Sequence, residues 1–349
     1  MQLNHERVLV VTGRRSSLPL IIAVHSSALG QAVGGCRLWN YADWTDGLSD
    51  ALRLSQAMTL KCSLAGLALG GGKSVIALPV EVRLDPERRR DVLLDLGDAI
   101  ESLGGVYGAG EDVGTTADDM ATIRERTRFV YGLPEATGGS GEPSAPTAIG
   151  VFESILVTCQ ELFGSRDVAG RAITIVGLGQ VGSRLANHLR SAGAKLTVTD
   201  IDDAKRELAS ALGADWIAPD EALGWPTDIL VPAALGGMLT HDNVADLQCA
   251  AIVGPANNQL ASDDVADLIA AKGVLWAPDF LVNAGGVIYG AHMEKGSRNA
   301  DTALAAVTAI GSTLSDVFGL ARRAGVTPLA AAQSIAMERV DAAGTDRRS

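Results

Sequence analysis

A chain of 349 residues, 47% hydrophobic and 20% charged, accommodates two domains of roughly 150 residues each and excludes a predominantly disordered protein. Its net charge of -12 and pI of about 4.9 argue against nucleic acid or anionic membrane as partners. The four cysteines form no C-x-x-C pair, the five histidines lack metal-ligand spacing, and the N-terminus lacks a signal pattern, so a reduced, cytoplasmic, metal-free protein is expected.

Residues 7–11 and 20–24 are short apolar runs around the turn-like Gly13–Ser17, and predict a strand pair. Ser16–Cys36 has no Asp, Glu, Lys or Arg, but its Pro19, His25, Gln31 and serines suit buried strands better than a membrane span. Gln31–Leu38 is a third extended run, interrupted by Gly34-Gly35. A double glycine there marks either close backbone approach to a ligand or a bulge or turn. Asp46–Lys61 has helical periodicity, with Lys61 in its last turn, where the helix dipole favours a cation.

Met58–Pro79 is apolar or small apart from Lys61 and Lys73. A lysine in a dry, glycine-lined setting loses hydration, its pKa falls, and it becomes available for proton chemistry. One lysine is therefore expected to bind an anion and the other to move protons. Gly70-Gly71-Gly72-Lys73-Ser74 suggests a P-loop, but Leu67 stands where that motif needs glycine and a strand, not a helix, follows. Asp91–Leu103 reads as an amphipathic helix and Val106-Tyr107 as a strand start. That strand runs into Gly110-Glu111-Asp112-Val113-Gly114, where Asp112 is either a turn residue or a reacting group. A helix is expected over 115–128.

Gly132–Pro146, rich in Gly, Pro, Ser and Thr, reads as a hinge between domains. A helix over 148–163 follows, with Thr147 placed to cap it. Ala172–Val176, Gly177-Leu178-Gly179-Gln180-Val181-Gly182, a helix over 180–192, and the strand 195–199 ending at Asp200 form the dinucleotide fingerprint in its required context. The glycines let a pyrophosphate reach the helix N-terminus, and Asp200 would bind the ribose and repel a 2′-phosphate, favouring NAD. Runs at 229–232, 250–254 and 274–277 complete a parallel sheet. Asn257 and Asn283 lie in turns after two of them. A long helix is expected over 301–318 and a frayed tail from about Asp341.

Seven motifs occur in order: Gly34-Gly35-Cys36-Arg37, Met58-Thr59-Leu60-Lys61, Gly70–Lys73, Glu111–Thr116, Gly177–Gly182, Ala256–Gln259 and Pro278–Gly286. Together they resemble the glutamate/leucine/phenylalanine/valine dehydrogenase family, over about residues 30–320, and most of all its shorter leucine, valine and phenylalanine branch. The resemblance implies an α/β protein: an N-terminal catalytic domain over 1–134, joined by C-terminal helices over about 301–349, a Rossmann domain over 135–300, and an interdomain cleft. It implies NAD-dependent reversible oxidative deamination of an L-amino acid to a 2-oxo acid and ammonia. By the same resemblance Lys73 and Asp112 are catalytic, Lys61 binds the substrate carboxylate near Gly34 and Gly35, Thr147 and Asn257 lie near the cofactor, and Asn283 lies near both cofactor and substrate. Val33 stands where glutamate-specific relatives carry a lysine, which implies an apolar substrate. Val33, Gly110, Val287 and Gly290 match the pocket walls. Glycine at 110 and 290 leaves room for an aromatic side chain, phenylalanine or tryptophan, whereas the wording of Glu111–Thr116 is nearer to branched-chain members. A homo-oligomer is expected. An NAD-binding sensor without catalysis is the alternative of another class, opposed by the joint presence of Lys61, Lys73 and Asp112.

Overall fold

The computed structural model describes residues 4–296 and 298–346. They form two compact units. The first runs to Glu142 and takes in Gly290–Asn299 and the chain from Ala336; the second holds Pro143–Tyr289 and Ala300–Ile335.

In the first unit β1 (Arg7–Thr12) and β2 (Pro19–Ser26) pair antiparallel, as their apolar runs predict. There follow β3 (Ala32–Tyr41), α1 (Trp44–Leu64), β4 (Gly70–Pro79), α2 (Pro86–Glu101), β5 (Tyr107–Glu111) and α3 (Ala117–Arg124). The sheet order is β1-β2-β4-β3-β5, with β3 parallel to both β4 and β5. Side chains alternate across a strand, so parity decides which face each residue serves. Leu20, Ile22, Cys36, Leu38, Ile76 and Tyr107 face α2 and α3, in a core with Leu96, Ile100 and Met120. Their neighbours Ile21, Ala23, Val75 and Ala77 pack with Ala51 of α1. The same parity carries Val33, Gly35, Arg37, Lys73 and Gly110 to the α1 side of the sheet.

Gly70-Gly71-Gly72 lie inside β4, not in a loop before it. A Cβ at Gly71 would sit 2.1 Å from the Thr59 backbone nitrogen of α1, and one at Gly72 would sit 2.6 Å from the Tyr107 ring. Bare backbone at these two positions lets α1 and Tyr107 close on opposite faces of β4. Gly34-Gly35 makes no bulge: the β3–β4 register is the same before it (Val33 to Gly71) and after it (Cys36 to Ser74).

The second unit contains α4 (Ser144–Phe163), β6 (Ala172–Val176), α5 (Gln180–Ser191), β7 (Lys195–Thr199), α6 (Arg206–Leu212), β8 (Asp215–Trp216), β9 (Thr227–Pro232), β10 (Cys249–Ile252), α7 (Val265–Ala271), β11 (Leu275–Trp276) and α8 (Asp279–Val282). After these come α9 (Gly285–Lys295), α10 (Ala300–Thr308), α11 (Ile310–Ala324) and α12 (Pro328–Asp346). Its six strands are all parallel, in the order β11-β10-β9-β6-β7-β8. Strand order reverses between β6 and β9, the switch point where doubly wound sheets bind ligands.

Several expectations are modified. Helix α4 begins at Ser144, so Thr147 lies in its first turn, donating from Oγ1 to Pro143 O (2.8 Å), and is not the cap. Pro146 permits this because a first-turn N–H has no acceptor within the helix. The helix expected over 115–128 contracts to α3, capped by Thr116 and Asp119. Helices α10 and α11 pack on α4 and group with the second unit, and the chain joins the first unit again only from Ala336, whose carbonyl accepts from Ser63 Oγ (2.7 Å). The first unit extends to Glu142, beyond the expected boundary at 134. Residues 341–346 continue α12, and the remainder of the expected tail lies outside the described residues.

Gly71→Ala must push α1 off β4, and should lower stability by about 1–3 kcal/mol, the range for overpacking. Gly344→Ala, in α12 with no atom within 4 Å of the added carbon, should be neutral or stabilising. Urea unfolding of both variants checks the pair; equal midpoints would contradict the close approach.

Candidate active site

Three strands of the first unit bring one ion pair together. Lys73, in the middle of β4 and 5% exposed, donates from Nζ to Asp112 Oδ2 at 2.6 Å. Asp112 follows β5 directly. Its N–H donates to Thr115 Oγ1 (3.0 Å), and that hydroxyl donates to Cys36 O (2.8 Å), which fixes the turn against β3. Gly35 provides the seat, since a Cβ there would lie 2.6 Å from Asp112 Cβ. Arg37, two residues along β3 on the same face, donates from Nε to the same Oδ2 (3.1 Å) and from Nη1 to Asp50 Oδ2 (2.9 Å). Tyr41 OH also donates to Asp50 Oδ2 (2.9 Å), and Arg53 donates to Asp50 Oδ1 (2.9 Å).

Burial pushes the Lys73 ammonium below the ordinary lysine value; Asp112 opposes this and Arg37 reinforces it. For Asp112 burial favours the neutral acid, but the Lys73 ammonium and the Arg37 guanidinium outweigh it and hold the carboxyl below the usual range. The pair therefore joins an ionised carboxylate to a lysine that yields its proton more easily than a solvated one. Behind the sheet, burial pushes the Cys36 thiol up to about 12 and keeps it inert.

Around the pair, Val33 is buried and registers with Gly71 and with Gly108. Gly34 is engaged by the scaffold: its carbonyl accepts from Tyr107 OH (3.0 Å), and a Cβ on it would meet Gly72 O at 1.8 Å. Gly110 is open, the nearest atom to an added Cβ being Tyr131 O at 3.9 Å. Lys61 is half-buried in the last turn of α1. Val287 and Gly290 are one turn apart on α9. Gly290 neighbours Ser140, and Glu294 of the same helix accepts from the N–H groups of Gly132 (2.9 Å) and Ser140 (3.0 Å).

The second unit carries the dinucleotide elements at its switch point. Gly177 turns the chain at φ 109°, and a Cβ there would meet the backbone after β9, at Ala233, at 2.9 Å. Gly182 packs on that turn, 2.0 Å from Gly177 O to an added Cβ. Gly179, at the N-terminus of α5, has no atom within 4 Å of an added Cβ, and no side chain caps the helix. The approach to the first N–H groups of α5, beside Gln180 and Val181, is thus the cradle a pyrophosphate requires. Asp200, after β7, accepts from Leu178 N–H (2.7 Å) and Asp202 N–H (3.0 Å), bracing the glycine turn while keeping lone pairs for hydroxyl donors. Asn283 donates to Pro255 O (3.2 Å) and Asn257 Oδ1 (2.8 Å), while its own buried Oδ1 has no partner. An orphaned buried acceptor costs about 1–3 kcal/mol until a donor arrives, which fits a ligand amide or hydroxyl. Thr147 lies against Gly286, 3.0 Å from its hydroxyl to an added Cβ. These residues fit a dinucleotide. No three His, Cys, Asp or Glu side chains among the described residues group to hold a metal ion.

Comparison with known proteins agrees with this geometry. The family description "Glu/Leu/Phe/Val dehydrogenase, dimerisation domain" matches residues 5–129, and "Glutamate/Leucine/Phenylalanine/Valine dehydrogenase" matches residues 197–347. The chain belongs to this family. It is 38% identical over 341 residues to the leucine dehydrogenase of Thermoactinomyces intermedius, covering 97% of this chain and 91% of that one. It is 37% identical over 347 residues to the phenylalanine dehydrogenase of Bacillus thermotolerans, covering 98% and 90%. The crystal structure of L-tryptophan dehydrogenase from Nostoc punctiforme superposes with a TM-score of 0.84 at 34% identity, over 99% of this chain and 97% of that one. The chain is an amino-acid dehydrogenase with the two-domain fold of these enzymes, in a family that uses NAD(P).

Sequence reading assigned no role to several residues that build this dehydrogenase's sites. Arg37, Tyr41 and Asp50 are one such set. Thr115 is another, and so is Gln259, whose buried amide donates to Gly254 O (2.7 Å) and accepts from Trp276 Nε1 (3.1 Å) under the Asn257 turn. Strand parity was the available signal for Arg37, because it shares a face with Gly35.

The geometry predicts that Gly179→Ala melts like the wild type but binds NADH at least about tenfold more weakly, since its methyl fills the cradle and touches no protein atom. Gly182→Ala should lose stability as well. Thermal melting with fluorescence titration of NADH separates the two; unchanged binding by Gly179→Ala would remove the cradle.

Proposed function

We propose that this amino-acid dehydrogenase uses NAD to deaminate an apolar L-amino acid reversibly to its 2-oxo acid and ammonia, with an aromatic side chain preferred. The observation that carries the reading is the Lys73–Asp112 pair, its lysine buried, on a sheet face that also carries Val33, Gly35 and Gly110. Lys61 holds the substrate carboxylate as a point charge. Asp112, ionised at neutral pH, takes a proton from the substrate ammonium and prepares the amine. A bound nicotinamide supplies the acceptor for the hydride that leaves Cα. Lys73, having given up its ammonium proton as its lowered basicity favours, then accepts as a neutral amine a proton from the water that attacks the iminium carbon. Asp112 returns a proton to the departing ammonia and takes up the carbinolamine hydroxyl proton as the carbonyl of the 2-oxo acid forms.

Val33 offers no charge to a substrate side chain, which supports an apolar amino acid. The open space at Gly110 supports a large one. A branched-chain preference is the second reading, favoured by the leucine dehydrogenase relative at 38% identity. Asp200 supports NAD over NADP through its carboxylate at the end of β7. A homo-oligomer is in keeping with the dimerisation-domain description over residues 5–129, and a cytoplasmic setting with the reduced, buried Cys36, Cys62 and Cys159. One helical stretch, Ala300–Ala324, is long and apolar enough to cross a membrane, but its two helices pack on α4 as core elements.

Absorbance at 340 nm with NAD+ or NADP+ and a panel of L-amino acids tests the reading. Phenylalanine or tryptophan with NAD+ should give the highest kcat/KM; overlapping values for valine, leucine and phenylalanine would remove the aromatic preference. Lys73→Ala should lose at least about a hundredfold in kcat with NAD binding intact, whereas Lys61→Ala should act mainly on amino-acid KM. Gly110→Ala should fold normally and move preference toward leucine.

A further inference from the structure

Asp112 Oδ2 serves two cations, Lys73 Nζ at 2.6 Å and Arg37 Nε at 3.1 Å. Asp50, on the far side of Arg37, is itself shared with Arg53. The connected cluster holds three cations (Lys73, Arg37, Arg53) and two anions (Asp112, Asp50), an excess of one positive charge. Arg53 is 54% exposed and screened by water, so the inner groups balance two against two, but Arg37 draws on the one carboxylate beside Lys73, and that competition is relieved by the member that can release a proton. Arginine cannot do so, and Lys73 is the most deeply buried of the three cations.

Resting on the function proposed above, we infer that Arg37 is a positioning residue that makes Lys73 the base of the reaction: it occupies half of the Asp112 carboxylate oxygen that would otherwise stabilise the lysine ammonium alone. Asp50 and Tyr41 fix its pose. The guanidinium bridges Asp50 Oδ2 and Asp112 Oδ2, so its plane is held at both ends, and Tyr41 OH orients the Asp50 carboxylate from the strand side. The other ionisable groups around Lys73 do not replace this effect. On β3, Cys36 points into the opposite core and its thiol is neutral. On β5, Tyr107 is neutral and bonded to Gly34 O and Ser74. On β2 the residue opposite Lys73 is Ala23, and the nearby His25 is held neutral, at about 4, by burial and by His5. On α1, Lys61 is assigned to the substrate carboxylate.

The test reads Lys73 directly. In full-length protein labelled with 13C-lysine, the Cε resonance lost in Lys73→Met is titrated with pH, alongside the rising, acid-side limb of kcat/KM for deamination. Arg37→Met should raise both midpoints by about one pH unit, and so lower kcat/KM about tenfold below the limb. Arg37→Lys, which keeps the charge, should restore most of the difference. Asp50→Asn removes an anion beyond Arg37 and should move the midpoint down, which keeps the test decisive if Arg37→Met does not fold. A Lys73 midpoint that stays or falls in Arg37→Met, or rises in Asp50→Asn, overturns the inference. A wild type that turns over no amino acid would sink the proposed function instead, while the Cε titration would still decide the role of Arg37.

Discussion

An ammonium withdrawn from water must find an anion, and at Lys73 that anion is the Asp112 carboxylate 2.6 Å away. The two groups come from different strands, so their pairing requires β4, β3 and β5 to be aligned and Asp112 to leave β5 in one defined direction. The turn bonds of Thr115 provide the direction and the missing side chain at Gly35 provides the room. Neither group is at its ordinary value: burial lowers the lysine, and the two cations lower the carboxyl against burial. A pair poised in this way costs stability relative to an apolar core, and its presence on a glycine-lined face is a mark of function.

Close approach recurs in both units. Gly71 and Gly72 allow α1 and Tyr107 to clamp β4, the strand carrying Lys73, from its two faces. Gly177 and Gly182 lock the turn after β6, while Gly179 stands open beside them. The same residue type thus has opposite uses. Where a Cβ would strike protein, glycine positions the scaffold; at Gly179, beside the open helix N-terminus, an added Cβ would strike no protein atom.

Periodicity made much of this legible in the sequence. The β1–β2 pair, α1, α5 and the strand–turn–helix–strand ending at Asp200 follow from apolar spacing, and the ordered motifs pointed to Lys73 and Asp112 before any coordinates. Four features were not legible. Thr147 looked like a cap because Pro146 seemed to end a linker, but proline is tolerated in a first helical turn. The glycines at 70–72 read as preceding a strand, yet they are strand residues stripped by neighbours distant in sequence. The Arg37–Asp50–Tyr41 network joins strand to helix through side chains, and no local pattern encodes such a closure. The placement of α10 and α11 with the second unit depends on which apolar face meets α4, and periodicity gives a face but not its partner.

If Lys73 and Asp112 act as one unit, their substitutions must not act independently. A double-mutant cycle on kcat/KM for deamination, built from Lys73→Met, Asp112→Asn and the double variant, measures this directly. A double variant about as slow as the slower single variant is the result expected of a shared proton device. Penalties that multiply would mean that the two side chains work separately, and would contradict the central role given to their ion pair.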